Sequence, residues 1–204
     1  MKVFRLIFLT AFLTVCTTAS AQDSGRPVFT QGLEWGETFN CYGYSYLLYL
    51  TGDQYLAESN TNGWTSHVNG FAGYHAGFAL RRMEVLCGVG YQGFNKNIRM
   101  FQTGLQANVH RDESREGVFG FLEGCLGLPI MSRNRTVTYC AAGMGFRTRL
   151  SRRICLDYKI GLSNALTSPR EVSDPYSGNM LDPGQIRESR SRVIGLRFST
   201  ALIL

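Results

Sequence analysis

The sequence predicts an all-β chain whose eight antiparallel strands close into an up-and-down barrel. Three observations carry that expectation. Apolar residues recur at every second position through most of the chain, the period of a strand with two unlike faces. The connections between these segments are mostly short, which makes sequential strands antiparallel neighbours. Helical periodicity is absent beyond the first residues.

The first strand spans Gly32 to Leu50, with Leu33, Trp35, Phe39 and Cys41 on one parity, Glu34, Thr38 and Asn40 on the other, and a loss of phase past Tyr42. Thr51 to Thr65 reads as a polar loop. Ser66 to Leu80 alternates Val68, Ala72, Tyr74, Ala76 and Phe78 against His67, Asn69 and His75. After the tight turn Arg81-Arg82, Met83 to Tyr91 sets Met83, Val85, Cys87 and Val89 against Glu84 and glycines. Gly93 to Asn97 is a turn, and Ile98 to His110 opposes Phe101, Thr103, Leu105, Ala107 and Val109 to Gln102, Gln106, Asn108 and His110. The charged run Arg111 to Glu116 leads to Val118–Leu128, which Pro129 ends because proline donates no ladder hydrogen bond. Arg135 to Arg149 is a weaker strand around C-A-A-G-M-G-F. Arg153 to Asn164 alternates cleanly, with Ile154, Leu156, Tyr158, Ile160 and Leu162 against Arg153, Cys155, Asp157, Lys159 and Ser163. A long polar connection, Ala165 to Glu188, precedes the last strand, Arg192 to Leu204. That strand, with Ile194, Leu196, Phe198 and Leu202 on one face and Gly195, Arg197, Ser199 and Ala201 on the other, is expected to close the barrel against the first strand and against Arg153–Asn164.

Residues 1–21 read as a secretory signal peptide: Lys2 and Arg5, the apolar run Leu6–Val15, and the cleavage pattern Ala19-Ser20-Ala21. A lipoprotein box at Leu13–Cys16 fits poorly, because Val15 stands where a small residue is wanted. The barrel domain is then 22–204. The chain carries a formal charge of +6, and losing Lys2 and Arg5 leaves it modestly basic, which gives no argument for nucleic acid. Five cysteines remain (Cys41, Cys87, Cys125, Cys140 and Cys155), an odd set inside alternating segments that reads as small buried hydrophobes rather than a disulfide scaffold. There is no Cys-x-x-Cys and no Cys/His cluster, so neither a metal nor another cofactor is expected.

The polar parity decides which face is wet. It is rich in Gly, Ala and Ser with isolated charges of both signs, which suits a narrow eight-stranded interior more than the outer face of a soluble barrel. Glu84, Glu123, Arg153, Asp157, Lys159 and Arg197 are therefore expected to form a paired charge network in the lumen. The apolar parity would then face lipid, with Trp35, Tyr74, Tyr91 and Tyr158 available for interfacial girdles. Strands near the 9 to 11 residues of a tilted crossing, joined by short inner turns and longer outer loops, fit a transmembrane barrel.

The G-L-E-W-G segment at residues 32–36, G-F-L-E-G-C-L-G-L at 120–128 and the alternating terminal strand resemble the small outer-membrane β-barrel proteins of Gram-negative bacteria, of the OmpX-like and PorT-like kind. Leu204 stands where such barrels commonly carry an aromatic residue. The resemblance implies a monomer in the outer membrane, placed there by the barrel-assembly machinery, with a structural, adhesive or protective role through the loops Thr51–Thr65 and Ala165–Glu188. Lys96, Arg99, Arg187, Arg190 and Arg192 lie near the outer rim, and arginine suits phosphate, so they are candidate lipopolysaccharide contacts. Two other readings stand beside this one. A lipid-A-modifying enzyme could start from the adjacent Ser66 and His67, although no third orienting group and no G-x-S-x-G accompany them. A soluble lipocalin-like binder would reverse the two faces. A solute pore is not expected, because side chains fill an eight-stranded interior.

Overall fold

Proline-poor, β-branched and aromatic alternation yields strands throughout. The structure, a computed structural model, describes residues 27–52, 55–93, 99–130, 137–169 and 172–204; the signal-peptide segment and Lys96 lie outside them. Eight strands follow in order: β1 Val28–Leu50, β2 Leu56–Leu80, β3 Met83–Gly93, β4 Arg99–His110, β5 Gly117–Ile130, β6 Val137–Arg149, β7 Cys155–Thr167 and β8 Ile186–Ile203. Each pairs antiparallel with its sequence neighbours, and β1 pairs with β8 to close the barrel. The seam runs from Gly32 opposite Ile203 to Tyr49 opposite Ile186. Below it, Leu204 N–H donates to the Gln31 carbonyl at 2.8 Å. On its other edge β8 meets β7 from Cys155↔Ile203 to Thr167↔Ser191.

The predicted closure and pairing are therefore those of the structure, but several boundaries differ. Val28–Gln31, ahead of the expected start at Gly32, already belong to β1. Thr51–Thr65 is mostly strand: β2 begins at Leu56, and its pairing with the upper part of β1 runs from Tyr42↔Trp64 to Leu50↔Leu56. Between Leu56 and Trp64 the extension reads A-E-S-N-T-N-G, so its sequence carries no apolar alternation to read. Pro129 does not end β5. It sits opposite Met100 at the last rungs, where a missing N–H costs least. Of the connection 165–188, β7 takes the start and β8 the last three residues.

The lost phase of the first strand has a local cause. The register of β1 shifts between Asn40 and Tyr42 against both β2 and β8. Before the shift the even residues Glu34, Thr38 and Asn40 are buried; after it the odd residues Leu47 and Tyr49 are. A bulge at Cys41 thus lets one strand change its inward parity without leaving the sheet.

The upper halves of β1, β2 and β8 rise past the other strands. Pairing of β2 with β3 reaches only Phe71↔Gln92, so Leu56–Gly70 is ladder-bonded to β1 alone among the described strands. This blade is braced on its inner side by the segment before β8. Tyr49 Oη–H donates to Asp174 Oδ1 at 3.0 Å, and Leu50 N–H to the Gln185 carbonyl at 2.9 Å. Asp174 also accepts from Tyr176 N–H at 3.0 Å and Ser177 Oγ–H at 2.8 Å. The Tyr176 amide first, and the Ser177 hydroxyl next, hold its carboxyl below the usual carboxylate range.

Two predictions follow from this architecture. At the seam, a Cβ on Gly36 would stand 2.1 Å from the Phe198 carbonyl oxygen and 2.7 Å from Ser199 Cα. Gly36→Ala is expected to cost about 1–3 kcal/mol, as overpacking does, read as a lower folded fraction on refolding into lipid. For the brace, a carboxyl lowered in the folded state contributes above its unfolded pKa and loses that contribution as pH falls through the folded value. Protease protection of 172–185 should therefore hold at neutral pH and decline in acid, and Asp174→Asn should reduce it already at neutral pH.

Candidate functional site: a charge-paired lumen beneath an arginine rim

Alternation along each strand delivers one set of side chains inward and the other outward, and the two sets differ sharply. Inward lie Glu34, Glu84, Gln106, Asn108, Glu123, Asp157, Lys159 and Arg197, all buried. Outward lie Leu33, Val68, Phe101, Leu126, Ile160, Leu162 and Phe198, all exposed.

The lumen holds two layers. In the lower layer Arg147 spans two carboxylates. Its Nη1 and Nη2 donate to Glu84 at 2.5 and 2.9 Å, and its Nε and Nη2 donate to Asp157 at 2.6 and 2.8 Å. Glu84 also accepts from Asn108 Nδ2 at 3.0 Å, with His110 Nε2 at 3.3 Å and Arg115 at 3.8 Å. In the upper layer Glu34 accepts from Lys159 Nζ at 2.6 Å, Ser199 Oγ at 2.6 Å and Arg197 Nη2 at 3.0 Å, with His75 Nε2 at 3.4 Å. Arg197 reaches on to Glu123 at 2.6 Å and to Tyr139 Oη at 2.9 Å. Arg147, Arg197, Glu34 and Glu84 each meet two or more partners, while Lys159 and Asp157 each close on one, so these charges are paired as groups removed from water must be.

Aromatic rings complete the packing. The Arg197 guanidinium lies 4.0 Å from the Phe71 ring centre, Lys159 Nζ 5.7 Å from Phe121 and the Arg147 guanidinium 5.8 Å from Phe119. Above them Met100, Val137, Tyr139, Ala141 and Ala165 form an apolar cluster with Phe119 and Phe121. Gly88 leaves the space that the His75 ring occupies; a Cβ there would meet Nδ1 at 2.6 Å. Side chains fill this cross-section, as eight strands require.

Measured against the sequence expectation, Glu84, Glu123, Asp157, Lys159 and Arg197 meet in the lumen, and Arg153 does not. Arg153 is exposed in the turn before β7, because β7 starts at Cys155 and the alternation cannot be extended back to it. Its expected place belongs to Arg147 of β6, and Glu34, absent from the expected set, accepts from Lys159, Ser199 and Arg197. Both stand on the inward parity, but Arg147 lies in the strand with the weakest alternation. Cys125 is buried, whereas Cys87 is exposed on the outward face and the other three are intermediate, so the expectation of buried cysteines holds only for Cys125. Ser66 and His67 are consecutive in β2 and point to opposite faces, so the strand does not bring that pair together.

The outer rim is built from outward positions of the blade. Ile194, Arg192 and Arg190 of β8 stand opposite Tyr42, Tyr44 and Tyr46 of β1, which face Trp64, Asn62 and Asn60 of β2. Trp64 is 87% exposed and meets Tyr42 edge to face at 6.0 Å. Arg192 Nε donates to Asn164 Oδ1 at 2.8 Å, and Arg190 pairs with Glu188. Arg187 is exposed where β8 shifts register, and Arg99 is exposed at the top of β4. The rim arginines therefore divide between the blade and the far side of the barrel.

No protein-family model and no curated protein matches the chain. Among solved structures, it is similar to Neisserial surface protein A, at 11% identity and a TM-score of 0.40 over 85% of this chain and 95% of that one. It also matches the Salmonella SPI-1 type III secretion injectisome secretin InvG, at 8% identity and a TM-score of 0.19 over 95% of this chain and 64% of that one. Both likenesses are distant.

The lumen yields one prediction. Arg197→Leu leaves Glu34 and Glu123 buried and short of a cation, and is expected to destabilise the barrel by about 3–5 kcal/mol. The triple variant Arg197→Leu, Glu34→Gln, Glu123→Gln should recover part of that loss. Urea unfolding from lipid vesicles followed by tryptophan fluorescence measures both.

Proposed function

We propose that the chain is a non-enzymatic β-barrel protein of the Gram-negative outer membrane, with a structural, adhesive or protective role exercised through its outer blade and loops. The observation that carries this reading is the inversion of its two faces: charges inward, Leu, Ile, Val and Phe outward. A soluble lipocalin-like barrel would have to hold that whole outward belt in water, far beyond the apolar patch a soluble monomer tolerates. The belt is bounded as a membrane belt would be. On β8 it runs through Leu202, Thr200, Phe198, Leu196 and Ile194 and stops at Arg192. Tyr91 and Trp64 stand towards the outer end, as interfacial aromatics do. The resemblance to OmpX-like and PorT-like barrels, and delivery by the barrel-assembly machinery, belong to the same reading.

Arg190 and Arg192 stand immediately above the belt, where the phosphates of lipopolysaccharide lie, and their forked donors suit phosphate oxygens. Tyr44 and Tyr46 between them and Asn62 and Asn60 add apolar faces and hydrogen-bonding groups for the attached sugars. This favours lipopolysaccharide as the neighbour of the blade over a purely solvated rim.

Envelope fractionation with a heat-modifiable gel shift tests the placement. The protein should sediment with outer membranes and migrate faster unheated than heated; recovery as a soluble periplasmic protein without a shift would overturn it. Arg190→Gln with Arg192→Gln should weaken co-purification with lipopolysaccharide several-fold, and unchanged co-purification would dispose of that contact.

A further inference from the structure

One residue breaks the rule of the outward belt. Glu37 lies on the outward parity of β1, between Trp35 and Phe39, and is exposed. It stands opposite Gly70 on β2 and opposite Phe198 on β8. Phe198 is the middle of the five outward positions from Leu202 to Ile194, so Glu37 is at mid-belt. Among the described residues it is the one Asp, Glu, Lys, Arg or His facing outward between the rims, and none of them donates a hydrogen bond to it. A shallow groove of about 740 Å3 opens beside it, lined by Trp35, Tyr158, Phe198 and Thr200 among others.

Acyl chains offer such a carboxylate neither charge nor hydrogen bonds, and an ionisable group at this depth is retained where something meets it. Protonation removes the charge but leaves one O–H donor and a carbonyl acceptor to be answered. Among the described residues the belt has no cation at that level. A carboxyl group is, however, complementary to a second copy of itself, donor to acceptor in both directions. A two-fold contact between copies, its axis along the membrane normal, places identical residues face to face. Gly70 and Ala72 beside Glu37 present little side-chain bulk, so two sheets can approach there, while Trp35, Phe39 and Phe198 surround the point of contact.

We infer that Glu37 marks an in-membrane interface between two copies of this chain, in which the paired Glu37 carboxyl groups hydrogen-bond to each other across a two-fold axis. The interface rests on the outer-membrane reading and replaces the monomer expected from the sequence. Its occupant is a second copy because no cation-bearing partner is needed to satisfy the group.

The test uses Glu37→Cys in isolated outer membranes under copper-phenanthroline oxidation. The parent chain, whose Cys87 already faces outward on β3, and Leu122→Cys on β5 serve as controls. A disulfide-linked dimer is expected from Glu37→Cys and not from either control. In detergent sedimentation, Glu37→Gln should keep the dimer, since a carboxamide is also self-complementary, and Glu37→Lys should lower the dimer fraction at least tenfold. The heat-modifiable shift verifies that each variant is folded. Folded Glu37→Cys that stays monomeric, an adduct of a different mass, or a Glu37→Lys dimer fraction equal to the parent's would overturn the interface while leaving the barrel in the membrane. Absence of the parent chain from the outer membrane would overturn both.

Discussion

The contact between Glu34 and Arg197 is the constraint on which the rest of the structure depends. The two residues are 163 positions apart and meet only because β1 and β8 lie side by side. Without closure each would carry an unpaired charge into the interior; without the pair, the seam would join two strands with opposite charges stranded beneath it. Closure and charge pairing therefore require each other. Arg197 then passes the connection on to Glu123 and Tyr139, so that the seam, β5 and β6 share one network. Arg147 does the same for β3, β6 and β7 through Glu84 and Asp157.

This wiring explains how a chain with an apolar exterior holds one interior arrangement. Apolar packing gives a core its strength with little direction, whereas bidentate guanidinium–carboxylate geometry fixes distance and angle. Rings of Phe71, Phe119 and Phe121 lie close to the cations and exclude water from them, which strengthens each ion pair and raises the cost of breaking one. The outcome is a stiff pedestal. Above it the blade of β1, β2 and β8 is carried on continuous strands rather than on a hinge, and the Tyr49–Asp174 contact braces it from within. A surface held this way presents Tyr44, Tyr46, Arg190 and Arg192 at a set height over the belt.

Legibility in the sequence followed the contrast between the two faces. Where one face was apolar and the other charged, as in β7 and β8, the strand, its parity and its inward residues could all be read. Where the contrast faded, the reading failed in particular ways. Arg153 extended the β7 alternation two residues into a turn, while Arg147, in the strand centred on C-A-A-G-M-G-F, offered little period to announce it. The Leu56–Thr65 part of β2 has only polar and small residues between Leu56 and Trp64, and so reads as a loop. Glu37 is legible in the sequence, since it interrupts the apolar parity of Leu33, Trp35 and Phe39.

The sequence by itself determined that the chain is all-β, that eight strands alternate, and which parity holds the charges, because a strand's period of two is local and needs no partner to express it. Only the tertiary structure decided which carboxylate meets which guanidinium, that Cys41 carries the bulge that reverses the parity of β1, and that three strands outgrow the barrel. Those depend on register between strands far apart in the chain, and register is a property of pairs.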